Sequence, residues 1–157
     1  MKLDRIDRQI LEALQNNARL SNKELAAKVN LAPSSCLERV RRLTQERVIR
    51  GFHAAVDPAA LGIELQAMIA VRLQQHSRKS FEDFRKYMEQ LPQVIQLFYV
   101  AGGNDFLIHV AVRNTEALRD FALDHVTQRK EVEHMETALI FESVRSMVLP
   151  DFLVDEG

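Results

Sequence analysis

Serine, glutamate and arginine recur along one side of the stretch PSSCLERVRRLTQ, positions 33–45, and apolar residues along the other. At 100° per residue, Cys36, Leu37, Val40, Leu43 and Thr44 share a face, while Ser35, Glu38 and Arg42 centre the opposite one. Ser34, Arg39, Arg41 and Gln45 flank that polar side. A guanidinium can fork onto guanine O6 and N7, and a carboxylate can accept from cytosine N4, each worth ~1–3 kcal/mol of base discrimination. Ser35, Glu38, Arg39 and Arg42 are therefore the candidates for base edges, and Ser34 and Arg41, on the flanks, for phosphates. Lys23, Lys28 and Arg50 are further candidates for backbone contact. The competing reading is a solvated surface on which Glu38 and Arg42 form an ordinary i, i+4 pair of modest value.

What must hold such a helix decides between the two. A helix of about 13 residues is ~20 Å long, long enough to lie in a major groove about 12 Å wide. Pro33 suits its first turn, where a missing N–H costs nothing. Upstream, Ser21 and Glu24 form a capping box for a short helix whose inward residues are Leu25, Ala26 and Val29. Asn30 falls where the turn between the helices needs left-handed dihedrals. Asp4 is a suitable N-cap for a first helix with Asp7 in its first turn and the apolar stripe Ile6, Ile10, Leu11 and Leu14. The three would close one small core with Leu37, Val40 and Leu43, and residues 51–56 look extended. Helix, tight turn, cationic helix and extended segment predict a winged helix-turn-helix.

Net charge is −1 over 157 residues, but it is divided: +5 over residues 1–50 and −6 over 51–157. A cationic head on an anionic body concentrates attraction for polyanions at one end. The lone Cys36 excludes an internal disulfide and, on the apolar side of its helix, reads as core filler. His53, His76, His109, His125 and His134 show no metal-ligand spacing, so no metal or cofactor is expected. No apolar run approaches a membrane span and the charged N-terminus fits no signal peptide, so the expected location is the cytoplasm.

Beyond Asp57-Pro58 and a hinge at Gly62, the pattern changes. Alternation predicts strands over 65–75, 94–100, 106–112 and 132–144; helical spacing predicts helices over 80–91 and 115–127. The order β-α-β-β-α-β is the split βαβ of ferredoxin-like folds, giving an α+β chain overall. Expected boundaries are a winged helix-turn-helix over 1–51, a linker strand and hinge over 52–64, and a ferredoxin-like domain over 65–157. Strands one, two and four carry apolar residues on both parities, yet both helices lie on one face. A second copy of the chain is the simplest cover for the other face, which predicts a homodimer joined through its sheets. The alternative cover is the tail from Arg145 onward.

Head and body in this order resemble the Lrp/AsnC, or feast/famine, family of transcription regulators. The residues that carry the likeness are LDRIDRQILEALQNNARLSNKELAAKVNLAPSSCLERVRRLTQERVIRGF, LPQVIQLFYVAGGNDFLIHV and ETALIFESV. One departure is Ala32, where the family usually has a serine able to cap the recognition helix. The resemblance implies double-stranded DNA as partner, a homodimer assembled into a ring of dimers such as an octamer, and a small amino acid as effector at the junction between dimers. It also changes the reading of residues 102–105, which on their own are simply a hairpin turn. Gly102 and Gly103 would present backbone N–H groups to a carboxylate, Asn104 completes the loop, and Asp105 would pair with an ammonium. Phe98, Val100 and Phe106 would shape the side-chain pocket, with Met135, Thr137 and Leu139 contributed across the junction. That apolar lining favours an aliphatic or sulfur-containing amino acid.

Two other functions fit parts of the chain. One is an architectural DNA-binding protein with no effector. The other is an enzyme on the ferredoxin-like body, against which stands the lack of any nucleophile–base set or phosphate loop.

Overall fold

Asp4 starts the first helix. The computed structural model describes residues 2–74 and 77–153. In it α1 (Arg5–Asn16) begins with a reciprocal cap: Asp7 N–H donates to Asp4 Oδ1 at 2.8 Å and Asp4 N–H to Asp7 Oδ2 at 3.2 Å. The same device, Ser21 with Glu24, opens α2 (Asn22–Lys28), and the Ser21 hydroxyl and N–H, both donating to Glu24 Oε2, hold that carboxyl below its ordinary pKa. Asn30 takes φ +53° in the turn, and Leu31 N–H returns to Ala26 C=O. α3 (Pro33–Gln45) follows with no side-chain cap on its first amides, as Ala32 requires. Asn22 Nδ2 instead ties the two helices by donating to Pro33 C=O at 2.8 Å.

Ile10, Leu25, Ala26, Val29, Cys36 and Leu43 form the buried centre of this helical unit. Val48 and Ile49 fold back onto it through a Schellman end: Val48 N–H to Leu43 C=O and Arg47 N–H to Thr44 C=O. Among the described residues no strand lies between α3 and β1. The wing expected from residues 51–56 makes no ladder, because within one chain it meets no second strand.

β1 (Leu65–Leu73), α4 (Arg78–Met88), β2 (Val94–Tyr99), β3 (Phe106–Val112), α5 (Thr115–Phe121) and β4 (Val132–Ile140) build the body. The sheet order is β2-β3-β1-β4, antiparallel throughout, as the split βαβ demands. Ala67, Ile69, Val71, Leu73, Phe106, Ile108 and Val110 alternate onto one face and bury Phe84, Met88, Leu118, Phe121 and Val126 of the helices. α5 passes into a π-helical turn, Ala122–Thr127, marked by Thr127 Oγ1 donating to Ala122 C=O. β4 stops at Ile140 rather than near 144: its last rung is with Gln66, one residue short of the start of β1 at Leu65.

The chain divides into two compact units: residues up to Ala55 with those from Val144 onward, and Val56–Ser143. The tail therefore belongs with the helices. Leu149 N–H donates to Gln15 Oε1 at 2.9 Å, and Arg8 donates to Leu153 C=O at 3.0 Å.

Arg47 sits at φ +57°, a conformation that favours glycine. Arg47→Gly should raise the stability of the helical unit by up to about 1 kcal/mol in urea unfolding.

Candidate functional site

α3 is rolled by roughly 50° from the orientation its apolar residues suggest. The buried line is Cys36, Val40 and Leu43, and Leu37, expected inside, is 39% exposed. The outward pole is consequently Ser34, Glu38, Arg41 and Gln45, all exposed.

The cause lies on α1. Asp7 points inward from the apolar stripe and is 0% exposed. Arg42 Nη2 meets both its oxygens, at 2.8 and 2.7 Å, and Arg39 Nη1 bridges Asp7 Oδ1 at 2.8 Å and Asp4 Oδ2 at 2.6 Å. A buried carboxylate needs such partners, since an uncompensated charge in a core is strongly destabilising. Ser34, Ser35, Glu38 and Arg41 thus stand in solvent, whereas the guanidiniums of Arg39 and Arg42, expected at base edges, turn back to α1. Asp4 and Asp7 are the residues that sequence reasoning missed in this role. The signal was an acid on the inward stripe between Ile6 and Ile10, a position that calls for a cation opposite.

These contacts raise the Arg39 pKa, its hydrogen bonds to Asp4 and then Asp7 leading. Partial burial acts to raise the Asp4 carboxyl, but the Asp7 N–H and the Arg39 hydrogen bond and charge outweigh it, and its pKa lies below the ordinary 3.8. Cys36 is buried and its thiol pKa is pushed up, in keeping with core filler.

The second candidate region is the β2–β3 hairpin. Val100 N–H donates to Asp105 C=O at 2.9 Å and Asp105 N–H to Val71 C=O at 2.8 Å. Gly102 takes φ +143°, Gly102 and Gly103 are exposed, and Asn104 is half-buried. Asp105 is directed inward: its Oδ2 accepts Leu73 N–H at 2.8 Å, where β1 bulges between Arg72 and Leu73. Its carboxylate therefore serves the end of the sheet.

Register sorts the remaining candidates. Phe106, Val71 and Met135 form one row across β3, β1 and β4, while Thr137 pairs with Ile69 and Leu139 with Ala67, progressively farther from the hairpin. Phe98 pairs with Leu107 on the helix-free face, so within one chain it and Phe106 do not line one pocket. Tyr99 does approach Phe106, with ring centroids 5.5 Å apart and Phe81 at 5.0 Å from Tyr99. These three rings, with Arg78, Glu82 and Arg85, line an open cavity of about 470 Å³.

His109, with Gln66 at 2.9 Å, has its pKa lowered by burial. His125 meets Tyr87 OH, His134 meets Glu136, and His76 lies outside the described residues. Among the described residues no group of His, Cys, Asp and Glu could hold a metal ion, and no helix is long and apolar enough to cross a membrane.

A helix-turn-helix with a solvent-facing polar second helix, joined to a separate α+β unit, defines a DNA-binding regulator with a ligand-binding body. The model of the AsnC-type helix-turn-helix domain matches residues 3–44, and that of the Lrp/AsnC ligand binding domain matches residues 66–149. The chain belongs to the Lrp/AsnC family of transcription regulators. It is 48% identical over 143 residues to the HTH-type transcriptional regulator AldR of Mycolicibacterium smegmatis, covering 91% of this chain and 84% of AldR. It is 34% identical to the leucine-responsive regulatory protein of Rhizobium meliloti, covering 92% and 93%. Among solved structures it superposes on a transcriptional regulator of Neisseria meningitidis in complex with L-Met, with a TM-score of 0.87 and 30% identity over 95% of this chain and 97% of that one.

Asp105→Ala should cost ~1–3 kcal/mol in urea unfolding by orphaning the Leu73 amide, whereas Asp105→Asn, which retains an acceptor, should cost less. A depressed folded pKa means that the contribution of Asp4 is present above 3.8 and is lost as pH falls through the lower folded value. Asp4→Asn, which keeps the cap, should therefore flatten the acid limb of the stability–pH curve.

Proposed function

We propose that this regulator reads specific DNA sequences as a homodimer paired through its sheets, and that its activity or its assembly into rings of dimers responds to a small amino acid. The observation that carries the DNA reading is the exposed pole of α3: Ser34, Glu38 and Arg41, with Ser35 beside them, stand clear of the helical core. Glu38 and Ser35 suit base edges, and Ser34 and Arg41 suit phosphates. Two such helices about a two-fold would address half-sites one helical turn, ~34 Å, apart or a multiple of it. Such a protein works in the cytoplasm, where its DNA is.

Pairing is supported by the helix-free face of the sheet. Met68, Ala70, Leu107, Phe98 and Ala138 lie together there by register, and Phe98 is 37% exposed. The described hydrogen bonds of the tail are internal or run to α1, so a second copy remains the natural cover. Residues 52–64 act as the linker in this arrangement.

The neighbour crystallised with L-Met supports an amino-acid effector. Exposed Gly102 and Gly103 suit its carboxylate, beside Val100, Asn104, Asp105 and Phe106. Thr137 and Leu139 are exposed on β4, Leu139 at 43%, and suit contact with a neighbouring chain, with Met135 half-buried against the core beside them.

Genomic fragments captured by the protein and footprinted with and without amino acids should show two protected half-sites whose occupancy changes with one effector class. A saturating effector at about 100 times its Kd should stabilise the chain by ~2.7 kcal/mol in a thermal-shift series over the twenty amino acids. A flat response throughout would favour the architectural, effector-independent alternative. Glu38→Ala should relax preference at one base pair by ~1–3 kcal/mol, whereas Arg41→Ala should weaken all sequences alike.

A further inference from the structure

Three arginines lie on α3, and two of them are already neutralised. Arg39 and Arg42 face Asp7 and Asp4, two guanidiniums against two carboxylates, at 2.6–2.8 Å. Asp7 is fully buried, so it cannot follow an arginine that swings outward, and Arg42 is held by both of its oxygens. Arg42 is nevertheless 46% exposed along its side chain, close enough to solvent to reach a phosphate were it released.

We propose that Asp7 is a positioning residue that withholds Arg39 and Arg42 from DNA and thereby suppresses binding to arbitrary sequence. Phosphate contacts made by cations carry no sequence information, and each adds about 0.9 to the slope of log affinity against log salt. Removing two cations from reach lowers the sequence-independent part of binding while leaving the base-edge contacts of Glu38 and Ser35 untouched. The ratio of specific to non-specific affinity rises, and that ratio decides occupancy on a long chromosome. The same pair of contacts sets the roll of α3, so masking and orientation come from one carboxylate. The inference rests on α3 facing DNA.

The test is equilibrium binding of the full chain to a short mixed-sequence duplex across a salt series. Asp7→Asn keeps the shape and an acceptor for the Asp4 N–H but loses the charge. It should bind that duplex more tightly at low salt, with a slope steeper by about 1 to 2. Adding Arg42→Gln to Asp7→Asn should return about half of the increase. A purely structural Asp7 would lower the melting temperature and leave the slope unchanged, which overturns the proposal. If Asp7→Asn fails to fold, Arg42→Gln alone decides, since Asp7 keeps Arg39 in that variant. An unaltered slope supports masking, and a slope shallower by about 0.9 assigns Arg42 to a phosphate and overturns it. A parent protein that leaves the duplex unbound while Asp7→Asn binds it supports masking; if neither binds at any salt, α3 is rejected as the DNA-facing helix, and masking with it.

Discussion

One buried carboxylate governs the helical unit. Asp7 lies inside a core otherwise made of Ile10, Leu25, Val29, Cys36 and Leu43, and an ion there is tolerable only with several donors around it. It has two arginines and one backbone amide. Apolar packing alone leaves the roll of a short helix loosely defined, because Leu37 lies on the same apolar side as Val40 and Leu43. Two directional contacts to a fixed point on α1 remove that freedom, bury the Cys36 side and turn Leu37 outward. The surface that α3 presents therefore follows from an electrostatic requirement inside the unit.

The body is organised by a different inequality. Its helix-side face is closed at the centre, with Ile69, Val71, Ile108 and Phe84 all 0% exposed, and open at the outer strands, where Leu139 and Tyr99 are exposed. Its other face mixes Met68, Leu107 and Phe98 with Gln66, His109 and Glu136. Apolar and polar groups thus stand side by side on that face, in contrast to the uniformly apolar centre of the helix side. Asp105 strengthens the sheet at the hairpin end, where the β1 bulge would otherwise leave the Leu73 amide without an acceptor. The exposed glycines of the hairpin thus follow directly on a hydrogen-bonded sheet end.

Periodicity made the fold readable. Spacings of three and four in α1 and α4, and alternation in β1 and β3, depend on neighbours along the chain, and so did the capping box at Ser21 and Glu24. The partners of Arg39 and Arg42 are over thirty residues away, and no local pattern states that an acid on one helix will meet a base on another. The same holds for Asp105, which sits in a turn by every local criterion yet bonds to β1. β4 shows the reverse failure: its apolar pattern runs to Val144, but its pairing with β1 stops at Gln66 and Ile140. Local chemistry specified the elements; which side chains face outward was settled by contacts between them.

The tail adds a consequence of connectivity. The chain passes between its two units twice, near Ala55 and again near Val144. β4, which carries Met135, Thr137 and Leu139, ends at Ile140, and nine residues later Leu149 is hydrogen-bonded to Gln15 of α1. Arg8, one residue from Asp7, donates to Leu153 C=O and pairs with Asp151 at 3.4 Å. α1 is thus held by the recognition helix through Asp7 and by the end of the chain through Arg8.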